Sequence, residues 1–230
     1  MRIPYTAVIC TVLLVSGCAP REGAESKITS ELTALKAQVA QLQNQAQAAT
    51  DWTAVANLQA TYGYYVDKMR WDEAADLFAK DATLEIAGRG LFKGQDRIRT
   101  YLHALGEYKY GTVYNHMQLQ PVIHIAPDGN SAQARWRAFI QVGHLGKEAR
   151  WGEATYENAY VKEDGVWKIA KLHGYITYYV EYDKGWNKGG VALPQKLGTL
   201  DPDAPPTVKY GAYPEVFIPP YHYKNPVSGK

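Results

Sequence analysis

The sequence predicts an α+β domain in which helices come first and an antiparallel sheet follows. Two patterns support this prediction. Up to about residue 105, apolar residues recur at steps of three and four, as on one face of a helix. From His116 onward, apolar and polar residues alternate over long stretches, as in strands that are buried on one side. Short turns join these strands, so neighbours along the chain are expected to pair antiparallel.

The first 17 residues are expected to form a signal peptide and to contribute nothing to the fold. Met1 and Arg2 give a short positive start, and a mostly apolar run that is too short to span a bilayer follows up to Ser16. The small residues before Cys18 resemble the lipobox of bacterial lipoproteins, in which this cysteine carries the lipid. Because Ala19 and not an aspartate follows, we expect an outer-membrane lipoprotein of the cell envelope that faces the periplasm. The alternative is an ordinary secretory signal with a chance cysteine.

The composition excludes several classes of function. The only cysteines are Cys10, in the predicted signal, and Cys18, so the mature domain is expected to hold neither a disulfide nor a cysteine nucleophile. A formal net charge of +2 gives no electrostatic reason to expect nucleic acid as a partner. Eighteen tyrosines and six tryptophans instead favour a cavity for a small hydrophobic or aromatic molecule.

Residues 18–50 are predicted to form a lipid-anchored helical linker rich in Ala, Gln, Lys and Glu. Its apolar residues fall at alternating steps of four and three over about three heptads, which is close to the minimum for a coiled coil. A self-associating stalk is one interpretation, and a single amphipathic helix that holds the domain away from the membrane is the other. The apolar positions are Ile28, Leu32, Leu35, Val39, Leu42, Ala46 and Ala49.

Residues 51–186 are predicted to form the folded domain. Its first helix is indicated by apolar residues at helical steps over 55–69, and the acidic Asp72 and Glu73 are typical of the start of a second helix. The Asp-Gly pair at 164–165 is typical of a tight hairpin turn. The remaining elements are a strand at 83–86, a turn-rich link at 88–94, a third helix at 98–105, and strands at 116–125, 132–144, 151–161 and 166–179.

Residues 187–230 are predicted to form an extended arm. The segment is rich in glycine and proline, and proline disfavours helices and central strands. Its aromatic residues are denser than in disordered tails. We therefore expect the arm to lie over the domain, over its own pocket mouth or on a neighbouring subunit.

Asp67 and His116 are the candidate acid–base pair. A carboxylate and an imidazole within hydrogen-bond reach can move protons without a metal or a cofactor. Helical periodicity alone places Asp67 away from the apolar stripe, beside Ala60 and Gly63, which favours a solvated carboxylate. Such small residues also let another element approach closely, and Asp67 would then point into a cavity. For His116, the alternative is a strand histidine whose ring is satisfied by backbone groups.

Short motifs follow one another along the domain: Tyr65-x-Asp67, Trp71-Asp72-x-x-Ala75-x-Leu77-Phe78-x-x-Asp81-Ala82, Gly94-x-x-x-Ile98, Asn115-His116 and Asp164-Gly165-Val166-Trp167-Lys168-Ile169. In order and spacing they resemble the SnoaL-like family of the nuclear transport factor 2-like superfamily, over about residues 55–186. The resemblance implies a cone-shaped α+β barrel, in which a curved antiparallel sheet is closed by three helices around one deep pocket. It also implies a homodimer joined through sheet faces and tails, or another homo-oligomer.

Within this family the pattern is similar to that of the scytalone dehydratases, where a helix aspartate before a Trp-Asp pair works with a strand histidine. The similarity implies that Asp67 and His116 are catalytic and that tyrosines bind a substrate oxygen. Val66 stands where those enzymes have a tyrosine, so Tyr64 or Tyr65 would have to act from a different angle. The candidate substrate-binding residues are Tyr64, Tyr65, Trp136, Tyr156, Asn158 and His173.

These residues predict a cofactor-independent lyase that acts on a hydrophobic, aromatic alcohol or diol by acid–base catalysis. Dehydration and retro-aldol cleavage both remain open, and formaldehyde release from lignin-type diaryl diols is one variant that the fold family allows. We expect no cofactor and no metal, because the histidines lack metal-ligand spacing. The alternative is a lipid-anchored module without catalysis, which binds a small ligand or a partner in the envelope.

Overall fold

The computed structural model describes residues 19–189, 193 and 196–230. Cys18 and the predicted signal peptide lie outside the described residues. The chain divides into two units, residues 1–46 and 47–230. Within the described part of the chain, no helix combines the length and the hydropathy that a membrane span requires.

The described part of the first unit belongs to helix α1 (Ala19–Asp67). The larger heptad residues, from Ile28 to Leu42, are between 45% and 63% exposed. An exposed apolar seam of this kind is what a coiled coil would bury against a second helix. Whether the stalk is paired or single stays a prediction.

The second unit has the predicted α+β fold. Besides α1 it contains helices α2 (Trp71–Asp76) and α3 (Gln95–His103). One six-stranded sheet has the order β2-β1-β6-β5-β4-β3. Its strands are β1 (Phe78–Ile86), β2 (Leu91–Lys93), β3 (Thr112–Ile125), β4 (Ser131–His144), β5 (Ala149–Glu163) and β6 (Val166–Glu181).

The sheet is mixed, and the expectation of a wholly antiparallel sheet is wrong for one pair of strands. β1 and β6 run parallel, with Leu84 opposite Leu172, whereas every other pair is antiparallel. The chain makes the hairpin β1–β2, crosses through α3, and returns through three successive hairpins to the open edge of β1. The short β2 lies in the segment that was predicted to be a turn-rich link.

Irregular backbone bends the long strands around the core. The pairing register shifts at four places, including Leu119/Val122 in β3, where Gln120 has a positive φ of 50°. Bulges of this type increase local twist and curvature. The turn between β5 and β6 has positive φ at both Asp164 and Gly165, 52° and 79°, which is the conformation that the Asp-Gly pair predicts.

The inner face of the sheet carries the core, and α1 packs closely against it. Ala134, Trp136, Ala138 and Ile140 of β4 are all buried, as their alternation predicts. A Cβ atom at Gly63 would lie 2.9 Å from Gln118 Cγ of β3, so the glycine permits the close approach of helix and strand.

A buried polar network joins α1 to the sheet around the fully buried Gln59. Its Nε2 donates to Gln118 Oε1 at 2.9 Å, and its Oε1 accepts from Tyr160 Oη at 2.7 Å and from Asn158 Nδ2 at 3.1 Å. Trp136 Nε1 donates to Tyr160 Oη at 2.8 Å. Three strands therefore bond, directly or through Tyr160, to one amide of the helix, and this fixes the position and rotation of α1.

The C-terminal arm crosses the outer face of the sheet. Beside β2, Asp203 of the arm forms an ion pair with Arg97 at 2.8 Å. The arm continues past β1, where the Thr207 backbone N–H donates to Glu85 Oε1 at 2.8 Å. Over β6, Tyr210 Oη accepts from the Ile176 backbone N–H at 2.7 Å.

The last part of the arm reaches the opposite edge of the sheet. The guanidinium of Arg135, on β4, donates to the backbone carbonyls of Pro219 and Pro220 and lies 3.6 Å from the centroid of the Tyr221 ring. His222 hydrogen-bonds Glu157 of β5 at 2.9 Å. Residues 203–222 of the arm are thus tied to the domain that precedes them.

Asp51 anchors α1 to the end of the β5–β6 hairpin. Its Oδ1 accepts hydrogen bonds from Trp167 Nε1 and Lys162 Nζ, both at 2.8 Å, and from Gln47 Nε2 at 3.2 Å. Burial alone would raise the pKa of this carboxyl, but the three donors lower the pKa by more, so the net shift is downward.

We expect Asp51→Asn to lower the free energy of unfolding by about 3 kcal/mol at neutral pH, because Lys162 loses its buried partner. The folded pKa lies below the unfolded one, so this contribution is present above the unfolded pKa and is lost as the pH falls through the folded pKa. Urea unfolding at neutral and acidic pH measures both effects. The exposed Asp183→Asn is the control, and equal midpoints for all three proteins would contradict the prediction.

Candidate active site

A narrow cavity lies between the inner face of the sheet, α1 and the end of α3. Its volume is about 60 Å³, which leaves room for only a few water molecules. Apolar and aromatic side chains make up most of the wall. The lining residues are Tyr62, Val66, Ile86, Arg89, Tyr101, Leu105, Tyr114, His116, Ile140, Val142, Tyr156, Ile176 and Tyr179.

His116 and Tyr156 form a hydrogen-bonded pair in this cavity. His116 Nε2 lies 2.8 Å from Tyr156 Oη. The other ring nitrogen, Nδ1, is shielded from solvent and has no hydrogen-bond partner among the described residues. Buried polar atoms are usually paired, so this nitrogen is a candidate contact for a ligand.

A glycine on the neighbouring strand makes room for the phenol. Gly174 of β6 lies opposite Tyr156 of β5. A Cβ atom at this glycine would lie 2.9 Å from Tyr156 Cε1 and 2.8 Å from Ile86 Cδ1. Any larger residue would push the Tyr156 ring, and with it the hydroxyl that contacts His116.

Burial keeps the imidazole neutral and the phenols protonated. Desolvation, with a smaller effect of the nearby Arg89 cation, lowers the pKa of His116 from 6.5 to about 4. Burial likewise raises the pKa of the Tyr114 and Tyr156 hydroxyls well above the ordinary value for tyrosine. At neutral pH the pair therefore offers one basic nitrogen and one protonated hydroxyl.

Among the described residues that line the cavity, Arg89 has the only charged side chain. Its Nη1 donates to Tyr101 Oη at 2.6 Å. Its Nε is buried and has no hydrogen-bond partner among the described residues. Sequence reasoning missed this residue, because an arginine in a Gly-rich link looks like any surface arginine.

The structure places Asp67 outside the cavity, in a groove between α1 and β3 that is also lined by Gly63 and Tyr64. Its Oδ1 accepts a hydrogen bond from the backbone N–H of His116 and does not contact the imidazole. The reason is helical phase, since Tyr62 and Val66 face the cavity and the next residue is turned about 100° away. Burial raises the pKa of Asp67, and the hydrogen bond from the backbone offsets this only in part.

The two tyrosines before Asp67 do not reach the cavity either. Tyr64 is 74% exposed and lies beside Asp67 in the outer groove. Tyr65 is partly buried and packs against the edge of the core. Tyr62, one turn earlier, is the tyrosine of α1 that lines the cavity.

Of the candidate substrate-binding residues on the sheet, only Tyr156 lines the cavity. Trp136 and Asn158 are buried on the same side of the sheet but belong to the polar network around Gln59. His173 lies on the outer face under the arm, 3.6 Å from Glu85 Oε1, where burial lowers the pKa of its imidazole.

Tyr114 also lines the cavity, and the period of two along β3 could have identified it from the sequence. Tyr114 precedes His116 by two positions, so the two side chains share a strand face. Their rings stack with centroids 6.5 Å apart in the cavity wall. The sequence contains no such signal for Tyr101. Its place on the apolar stripe of α3 predicts only a core residue, and the packing of α3 puts it in the cavity wall.

Known structures share this architecture. A candidate scytalone dehydratase from Novosphingobium aromaticivorans DSM 12444 is 19% identical with a TM-score of 0.54, over 60% of this chain and 91% of that one. A type 2 hexachlorocyclohexane dehydrochlorinase (LinA) is 19% identical with a TM-score of 0.52, over 71% and 99%. The LinA-type3 dehydrochlorinase of Novosphingobium barchaimii LL02 is 19% identical with a TM-score of 0.53, over 60% and 93%.

At this level of identity the similarity shows a common fold, which this chain shares with dehydratases and dehydrochlorinases. A search of curated proteins finds no match. The sequence model of the SnoaL-like domain, however, matches residues 47–173, which is more than half of the chain. The protein therefore belongs to the SnoaL-like family, within the nuclear transport factor 2-like superfamily.

Proposed function

We propose that the protein is a cofactor-independent lyase, which eliminates water from a small hydrophobic alcohol by acid–base catalysis at His116 and Tyr156. The observation that carries the proposal is the 2.8 Å contact between His116 Nε2 and Tyr156 Oη in the cavity, with Nδ1 left unpaired among the described residues. The shared fold supports the reaction class, because dehydration and dehydrochlorination are both eliminations.

One tautomer of His116 gives the pair both functions that an elimination needs. If Nε2 carries the proton, it donates to Tyr156 Oη, and the hydroxyl proton of Tyr156 is then free to point at a substrate oxygen. Nδ1 keeps its lone pair and can accept a proton from a substrate carbon. In the other tautomer Nδ1 carries the proton and cannot accept one, and the Tyr156 hydroxyl donates to Nε2 instead of to the substrate.

A relay through this hydrogen bond avoids a charged intermediate. Nδ1 takes the proton from carbon, Nε2–H passes its proton to Tyr156 Oη, and the Tyr156 hydroxyl gives its own proton to the leaving hydroxyl group. A carbon–oxygen bond breaks, a double bond forms, and water leaves with both catalytic side chains neutral. This route suits a cavity in which the pKa of His116 is about 4, because a free imidazolium is unfavourable there.

The size of the cavity limits the substrate. At about 60 Å³ it is much smaller than a typical site for a drug-sized ligand. A neighbouring groove shares Leu105, Tyr114 and Val142 with the cavity wall, so part of a ligand could extend towards it. This favours dehydration of a small alcohol, with at most one aromatic ring, over cleavage of a two-ring diaryl diol.

Asp67 has a positioning role in this proposal. Its carboxylate holds the His116 backbone N–H and so ties β3 to the end of α1, one residue after the cavity residue Val66. The lipid anchor at Cys18 and the periplasmic location complete the proposal, in which the 18–50 linker holds the enzyme at the membrane.

The second candidate is a binding module that uses the same cavity without catalysis. It is favoured by the fact that Asp67 does not touch the imidazole, so the acid–base pair implied by the family resemblance is not assembled. A binder needs the aromatic wall but not the His116–Tyr156 pair, and this difference can be tested.

We expect His116→Gln and Tyr156→Phe each to reduce turnover about 100-fold or more, because each removes a proton-transfer group. Asp67→Asn should reduce it much less. The assay uses residues 19–230 with a panel of small β-hydroxy ketones and single-ring alcohols, and mass spectrometry follows the loss of water. His103→Gln, on the exposed surface of α3, is the matched control. Ligand binding without turnover in the wild type would instead support the binding module.

We also expect the His116 ring to stay neutral down to about pH 4 in an NMR titration, because burial disfavours its charged form. The unfolded chain binds this proton near pH 6.5, so the stability contribution of the neutral ring is lost as the pH falls from 6.5 towards 4. A His116 titration near pH 6.5 in the folded protein would contradict the buried site.

A further inference from the structure

Arg89 is a partly buried cation for which the elimination mechanism gives no use. None of the lining residues carries a carboxylate, and the hydrogen bond to Tyr101 is the only one that the guanidinium makes to the described residues. One nitrogen of the group, Nε, is buried and lacks even a neutral acceptor among the described residues, which is unfavourable. An unpaired buried donor on a residue that lines a ligand cavity points to an acceptor on the ligand.

The C-terminal arm holds the backbone turn that carries Arg89. The residue ends a 3-10 turn, Ala87–Arg89, and is followed by Gly90 at a φ of 91°. A Cβ atom at Gly90 would lie 2.5 Å from Pro202 Cβ of the arm. Leu91 N–H donates to Ala204 O at 2.9 Å. The arm therefore fixes this turn, which directs Arg89 into the cavity wall.

Two hydrogen-bond donors at this end of the cavity have no acceptor among the described residues. Tyr101 Oη accepts from Arg89 Nη1, so the Tyr101 hydroxyl proton remains available. Arg89 Nε–H is available as well. Two free donors, one of them charged, form a pair that an anionic oxygen would satisfy and a neutral alkyl group would not.

Arg89 is also within electrostatic reach of the catalytic pair. Its charge contributes to the lowered pKa of His116 and opposes the raised pKa of the Tyr156 hydroxyl. A ligand that extends from Arg89 towards these two residues would thus contact both ends of one small cavity.

We infer that Arg89 and Tyr101 bind an anionic oxygen of the ligand, and that the substrate is a small monoanion with an otherwise apolar body. A single guanidinium among protonated phenols matches one negative charge and does not match a phosphate dianion. The inference rests on the proposed function only in taking this cavity as the substrate site. Carboxylate and phenolate ligands share the required chemistry, and the experiment separates them.

The test measures binding without turnover. Calorimetry compares acetate, propanoate and benzoate with their neutral amides, and it compares 4-nitrophenol below and above its own pKa. The wild type should bind at least one carboxylate, or the phenolate, about tenfold more tightly than its neutral form. Arg89→Gln should lose this preference, and Arg89→Lys should keep part of it. Arg137→Gln, which changes an exposed arginine on the outer face, should keep all of it.

An NMR titration shows that the variant remains folded and that its cavity has changed. In Arg89→Gln the pKa of His116 should rise above its wild-type value, because a nearby cation is gone. Equal binding of anions and amides by the wild type, or a preference for anions that survives Arg89→Gln, would overturn the inference. If turnover depends on His116 but binding shows no preference for anions, this inference is wrong and the proposed lyase activity stands. If binding prefers anions but there is no turnover, the proposed lyase activity is wrong and this inference stands.

Discussion

The rest of the structure depends on the buried amide of Gln59, which bonds α1 to the sheet. Its amide nitrogen donates to a side chain of β3, and its amide oxygen accepts from two side chains of β5. One of these, Tyr160, extends the network to Trp136 of β4. Satisfying one buried amide in this way allows a single rotation of the helix about its axis. Because a helix turns about 100° per residue, that rotation directs Tyr62 and Val66 into the cavity and Asp67 out of it.

The chemistry of the site follows from this placement. Desolvation in the cavity keeps His116 neutral, and Gly174 leaves the space in which the Tyr156 hydroxyl can meet Nε2. The partner of the imidazole is thus a phenol supplied by β5, and the carboxylate of Asp67 serves the backbone of the same histidine. A neutral pair with one free acceptor and one available proton is suited to moving protons without separating charge.

The arm connects the end of the chain to the cavity through the turn that carries Arg89. Pro202 and Ala204 hold Gly90 and Leu91, and Asp203 is paired with Arg97 at the start of α3, the helix that also carries Tyr101. The same arm covers the outer sheet face over Glu85 and His173. A segment without regular secondary structure thereby positions the charged side chain of the cavity wall, Arg89.

The sequence by itself determined the α+β class, the buried face of β4, the Asp164-Gly165 turn and the strand that carries His116, because these depend on local periodicity and turn geometry. Only the tertiary structure decided that β1 pairs parallel with β6, that Tyr156 contacts the imidazole, and that Arg89 lines the cavity. Those features join residues 40 or more positions apart, or depend on an arm that is distant in sequence. Periodicity assigns a side chain to a face of its own element, but which group it meets is set by how separate elements pack.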